Sequence, residues 1–161
     1  MKTKEIKRVL IAMDYDQSAQ KVAEEGFALA KTMGAEVILL HVIADPVYYS
    51  STEYSPIMGY TGFIDLNPSQ TGEVDLLKKA SQHFLDKTKL HLGDDAIQTQ
   101  VKEGEFAEAI LSTAKELHAD IIVMGSHGHK WLENIVMGSV TENVLHHTTI
   151  PLFIIPTKKR N

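Results

Sequence analysis

Residues 125–139 space glycines and hydroxyls in a way that suits an anion. Gly125-Ser126-His127-Gly128 is followed, after His129 to Met137, by Gly138-Ser139. A phosphate tail carries several negative charges and many acceptor oxygens. Backbone N–H groups can hold it wherever the main chain approaches closely, and glycine permits that approach because it lacks Cβ and tolerates positive φ. A helix N-terminus adds unpaired N–H groups and a partial positive charge. Gly125 and Gly128 would bring the chain around such a ligand. Gly138 and Ser139 would present the next helix to it, with the Ser139 and Thr141 hydroxyls as further hydrogen-bonding groups. A structural reading uses the same residues differently: the glycines turn the chain and Ser139 caps the helix, for which Ser139-Val140-Thr141-Glu142 has the capping-box form.

Choosing between these readings requires the elements around the motif. Lys7–Asp14 reads as a buried strand. Asp16–Met33 reads as a helix whose small and apolar residues, Ala19, Val22, Ala23, Gly26, Phe27, Ala30 and Met33, trace one face. Asp16 or Ser18 can cap its start and Gly34 stops it. Asp16 in that role would free Asp14 for a ligand hydroxyl. Glu36–Ile43 is a second buried strand, Glu73–Leu92 a helix, and Ala96–Lys102 a strand alternating enough to sit at an edge. Glu105–His118 is a helix, Asp120–Met124 a strand, Ser139–His147 a helix and Leu152–Ile155 a last strand.

Strands apolar on both faces, joined by helical crossovers, imply an open parallel sheet covered on both sides. With right-handed crossovers the expected order of the five strands is 3-2-1-4-5. Strands 1 and 4 then lie side by side where the winding reverses, and ligands of open α/β sheets bind there, beyond the carboxyl ends of the strands. Those ends are Asp14 and Gly125. The glycine motif thus starts where this architecture expects a site, which favours the ligand reading.

Composition narrows the function classes. The formal net charge is −5 and Lys and Arg are scattered, whereas a nucleic-acid binder carries a basic stripe. No run approaches the ~20 apolar residues of a membrane span. Val9–Met13 is too short for a signal sequence. Cysteine is absent, so neither a disulfide framework nor a thiolate metal site exists, which suits a cytoplasmic protein. The histidine pairs His127/His129 and His146/His147 lack zinc spacing with a third ligand, and no G-x-x-x-x-G-K-[ST] P-loop occurs. No protein-built metal site and no catalytic residue are expected. Segment 44–72 breaks the rhythm: it holds Pro46, Pro56 and Pro68, four of the five tyrosines and no Lys or Arg. It reads either as an excursion of the chain or as a lid or partner surface.

The spaced glycine motif resembles the ATP-binding signature of universal stress proteins. The resemblance runs through VLIAMDYDQSA, VILLHVI, ADIIVMGSHGH and MGSVTENVLHHTTIPLFII, nearly the whole chain. It implies one Rossmann-like domain over 1–161, similar to the adenine nucleotide alpha hydrolases, with a variable insertion at about 44–72. It also implies a homodimer that retains ATP. By the same resemblance, Ala12, Met13 and Asp14 would line the adenine and ribose side, and Val42 would meet adenine through its backbone. Met124 and Gly125 would continue that wall. His127, Gly128, Gly138, Ser139, Val140 and Thr141 would hold ribose and phosphates. The chain departs from many relatives in having Asp14-Tyr15-Asp16 where they have Asp-Gly-Ser.

The expected function is that of a nucleotide-dependent switch or sensor in a stress response. Mg²⁺ is compatible with it, carried by the phosphates with few protein ligands. Two alternatives stand beside it: a slow ATPase or autophosphorylating enzyme acting near Ser139 or Thr141, and a nucleotide-free dimeric interaction module. The short apolar strand Leu152–Ile155, flanked by Pro151 and Pro156, would expose unpaired backbone at a sheet edge unless a second copy paired with it.

Overall fold

The computed structural model describes residues 1–44, 73–126 and 138–157. Within them the chain forms β1 (Arg8–Met13), α1 (Ala19–Met33), β2 (Glu36–Ile43), α2 (Glu73–Leu92), β3 (Gln98–Glu103), α3 (Phe106–Glu116), β4 (Ile121–Gly125), α4 (Ser139–His147) and β5 (Leu152–Ile155). The five strands are all parallel and ordered β3-β2-β1-β4-β5, the order expected from the sequence.

Side chains alternate between the two faces of each strand, and both faces are buried. On one face Val9, Ile11 and Met13 join Val37 and Leu39 beneath Ala19, Val22, Ala23 and Ala30 of α1 and Leu85 of α2. On the other, Leu10 and Ala12 join Ile38, Leu40 and Ile122 beneath Ala107, Ile110 and Ala114 of α3 and Val144 of α4. This explains why β1 and β4 read as unbroken apolar runs. Each fully buried Leu or Ile contributes about 1.5–3 kcal/mol relative to exposure. The small residues of α1 allow a close approach: a Cβ at Gly26 would lie 2.8 Å from Ile11 Cδ1 and 3.1 Å from Val123 Cγ1.

Several element ends differ from expectation, for local reasons. α1 begins at Ala19 rather than Asp16. Asp16 Oδ1 accepts from Ser18 N–H at 2.7 Å and from the Ser18 hydroxyl, so this carboxylate closes a turn ahead of the helix. The helix stops as expected at Gly34, whose φ of 65° and N–H bond to Lys31 O make a left-handed cap. β3 starts later than Ala96, because Asp94 takes the Ala96 N–H with its side chain and the Ile97 N–H with its carbonyl. It does lie at the edge. Glu105 caps α3 instead of opening it, accepting from Ala107 and Glu108 N–H at 3.1 and 2.7 Å. Residues 45–72, with the proposed lid tyrosines, lie outside the described residues. No helix among the described residues is long and apolar enough to cross a membrane.

Candidate functional site

The crossovers through α1 and α2 cover one face, those through α3 and α4 the other. The winding therefore reverses between β1 and β4. Their paired register ends at Ile11↔Val123, although β1 continues to Met13 and β4 to Gly125. The strand tips part, and a cleft of about 290 Å³ opens there. That is near the lower end of the roughly 300–1,000 Å³ usual for small-molecule sites.

Ten of the residues singled out from the sequence line this cleft: Ala12, Met13, Asp14, Val42, Met124, Gly125, Gly138, Ser139, Val140 and Thr141. His127 and Gly128 lie outside the described residues. The cleft has two chemically distinct parts. Ala12, Leu40, Val42, Met124, Phe106 and Ile110 make an apolar part. The first turn of α4 makes the polar one. Gly138 is the N-cap, with φ −66° and ψ 155°, and the first helical bond runs from Glu142 N–H to Gly138 O at 2.9 Å. The N–H groups of Ser139, Val140 and Thr141 precede that bond and have no acceptor within the helix. They carry the positive end of the helix dipole. Asp14 borders the cleft across from them, its Oδ1 accepting from Tyr15 N–H at 2.8 Å.

The structure corrects the capping-box reading. Ser139 is the first helical residue, and no side chain caps α4. Ser139 is exposed in the cleft, whereas Thr141 is 3% exposed and its hydroxyl donates to Gly125 O at 2.8 Å. The Thr141 hydroxyl is therefore engaged with the end of β4. The φ at Gly138 is one any residue adopts, so no unusual backbone angle requires glycine there.

Ser126, one residue past β4, is a structural node. Its N–H donates to Ile155 O at 2.9 Å and its carbonyl accepts from Gly138 N–H at 2.6 Å. Its hydroxyl accepts from Thr157 N–H at 2.9 Å and lies 3.3 Å from Thr157 Oγ1.

Tyr15, the departure from the Asp-Gly-Ser pattern, turns away from the cleft. Its ring packs edge-on against His41 at 4.4 Å and against Phe84 at 4.5 Å, and its hydroxyl lies 3.4 Å from Ser81 Oγ. His41 is 1% exposed. Its Nδ1–H donates to Met13 O at 3.0 Å, and Nε2 meets no hydrogen-bond partner among the described residues. Burial pushes this imidazole below its ordinary pKa, against smaller opposing effects of the Met13 bond and the Asp14 charge. Burial thus favours the neutral ring.

Sequence reasoning missed seven lining residues: Asp16, Ser18, Ala19, Val22, Leu40, Phe106 and Ile110. Leu40 was within reach, since it lies two residues before Val42 on the same face of β2. Phe106 and Ile110 share one face of α3, but their spacing marks only an apolar face, not which end of the sheet it meets.

The fold defines a doubly wound α/β protein with a crevice at its switch point. Residues 5–156 match the sequence model of the Universal stress protein family, and the chain belongs to that family. It is 31% identical over 158 residues to the universal stress protein MJ0577 of Methanocaldococcus jannaschii, covering 94% of this chain and 96% of that one. The MJ0577 structure superposes with a TM-score of 0.74, at 26% identity over 98% of this chain and all of the other. A universal stress protein in complex with cAMP has a TM-score of 0.63 at 17% identity, over 96% of this chain and 100% of that one. One from Archaeoglobus fulgidus in complex with dAMP has a TM-score of 0.60 at 15% identity, over 94% and 98% of the two chains. These last two share the fold.

Proposed function

We propose that this chain binds ATP in the cleft between β1 and β4 and acts as a nucleotide-dependent switch or sensor in a stress response. The observation that carries this reading is the division of the cleft. The apolar walls of Leu40, Val42, Phe106 and Ile110 suit a flat base. The amides of Ser139, Val140 and Thr141, which have no acceptor within the helix, suit phosphates. Asp14, an acceptor on the bordering wall, suits a ribose hydroxyl. His127 and Gly128 belong to the proposed contacts through the glycine signature. The cAMP and dAMP complexes of two proteins with this fold support an adenine nucleotide as the ligand class. Mg²⁺ would accompany the phosphates.

On this reading the protein is cytoplasmic and homodimeric through β5. ATP shifts its conformation only so far as it binds one state better than the other. The test is to denature freshly purified protein, identify any released nucleotide by mass spectrometry, and titrate the emptied protein with ATP. Release or tight binding of an adenine nucleotide is the expected result. No nucleotide on the protein and no binding at millimolar ATP would overturn the reading.

A further inference from the structure

We infer that Ser126 and Thr157 form a positioning pair that sets the first turn of α4, and so controls how the cleft holds phosphate while leaving the base end untouched. The inference rests on the reading of the cleft as an ATP site. Both side chains are buried, Ser126 at 9% and Thr157 at 6% exposure. Among the described residues, Ser126 makes four hydrogen-bonding contacts. Its N–H extends the β4–β5 ladder onto Ile155, and its hydroxyl meets both the N–H and the hydroxyl of Thr157. Its carbonyl takes the N–H of Gly138. The last contact reaches the N-cap of α4, directly ahead of the first three amides of the helix.

The chain thus leaves β4 at Ser126 and returns to the same residue at Gly138. The height of α4 above the sheet is fixed by a serine that is itself held by the segment following β5. Neither Ser126 nor Thr157 is among the described residues that line the cleft, whose apolar walls come from β1, β2, β4 and α3. Ser126 and Thr157 act through Gly138 and are not ligand contacts. A second consequence concerns β5. A displacement of the chain just after this edge strand, at Pro156 and Thr157, reaches the phosphate end through Ser126, whose hydroxyl holds Thr157 and whose N–H holds Ile155.

The experiment measures ATP and adenosine affinity by calorimetry for wild type, Ser126→Ala, Thr157→Val and Thr157→Ser, each with its unfolding curve. Loss of one buried hydrogen bond at a phosphate-positioning node should weaken ATP about tenfold. Adenosine should change less than about twofold, a difference too small to represent a full hydrogen bond. Thr157→Val should shift the ATP-to-adenosine ratio in the same direction, and Thr157→Ser, which keeps the hydroxyl, should restore it. Equal weakening of ATP and adenosine would reduce the pair to general stability and overturn the inference. Unchanged ATP affinity in both Ser126→Ala and Thr157→Val would also overturn it, while leaving the ATP site intact. Wild-type protein that binds neither compound would overturn the reading of the cleft, and the pair's role with it.

Discussion

The hydroxyl of Thr141 donates to the carbonyl oxygen of Gly125 at 2.8 Å, joining the third residue of α4 to the last residue of β4. Thr141→Val keeps the shape and removes the donor beside a part-buried acceptor. It should destabilise the protein by about 1–2 kcal/mol, and Thr141→Ser should recover most of that. Urea unfolding midpoints of the three proteins check it.

Gly138→Asp separates helix stability from ligand binding. Aspartate is a favoured N-cap, and the backbone at Gly138 is already extended. The variant should therefore unfold at the wild-type temperature or above. Its carboxylate would occupy the amides proposed for phosphate, so ATP affinity should fall about tenfold or more. A thermal melt beside an ATP titration reads both effects. Undiminished affinity would remove α4 from the phosphate site.

His41 makes stability depend on pH. Its folded pKa is depressed, chiefly by burial, so the unfolded chain binds the proton more tightly. The contribution is complete above the unfolded value of about 6.5 and declines as pH falls below it, by at most about 1.4 kcal/mol per pH unit. Unfolding free energies from pH 7.5 down to 5.5 should show this slope. His41→Leu should flatten it, whatever it does to stability at neutral pH. An identical slope in the variant would mean that other groups carry the dependence.

Phe153, at the centre of β5, is 42% exposed at the sheet edge, and Leu145 of α4 is 46% exposed. If β5 pairs with a second copy, Phe153→Arg should convert a dimer into a monomer by sedimentation. A wild-type protein that sediments as a monomer at tens of micromolar would remove β5 as a dimer interface.

The sheet was legible because the strands buried on both faces, Val9–Met13 and Ile121–Met124, can only be apolar throughout. β3 announced its edge position by alternation. Element starts were less legible, since they depend on which of several polar side chains takes which amide. Asp16, Asp94 and Glu105 each captured N–H groups that an apolar pattern cannot assign. Ser139 had the pattern of a cap, yet the return of the chain to Ser126 made Gly138 the cap instead. His41 sits in the middle of an apolar run, and its Nδ1–H bond to Met13 O together with the rings of Tyr15 and Phe84 accounts for an imidazole there. The polar part of the cleft follows from local motif spacing. Of its apolar part, Ala12, Val42 and Met124 were legible at the strand ends, whereas Phe106 and Ile110 of α3, distant in the chain, emerge only with the tertiary fold.

At the opposite rim of the sheet, Asp120 accepts the N–H groups of both Lys7 and Arg8, at 2.8 and 3.0 Å, and pairs with Lys4. β1 and β4 therefore resemble the arms of a clothes peg, pinned at the foot and open at the jaw. Because the pin is made of charge and main chain far from the jaw, the jaw can fill or empty without loosening its own hinge.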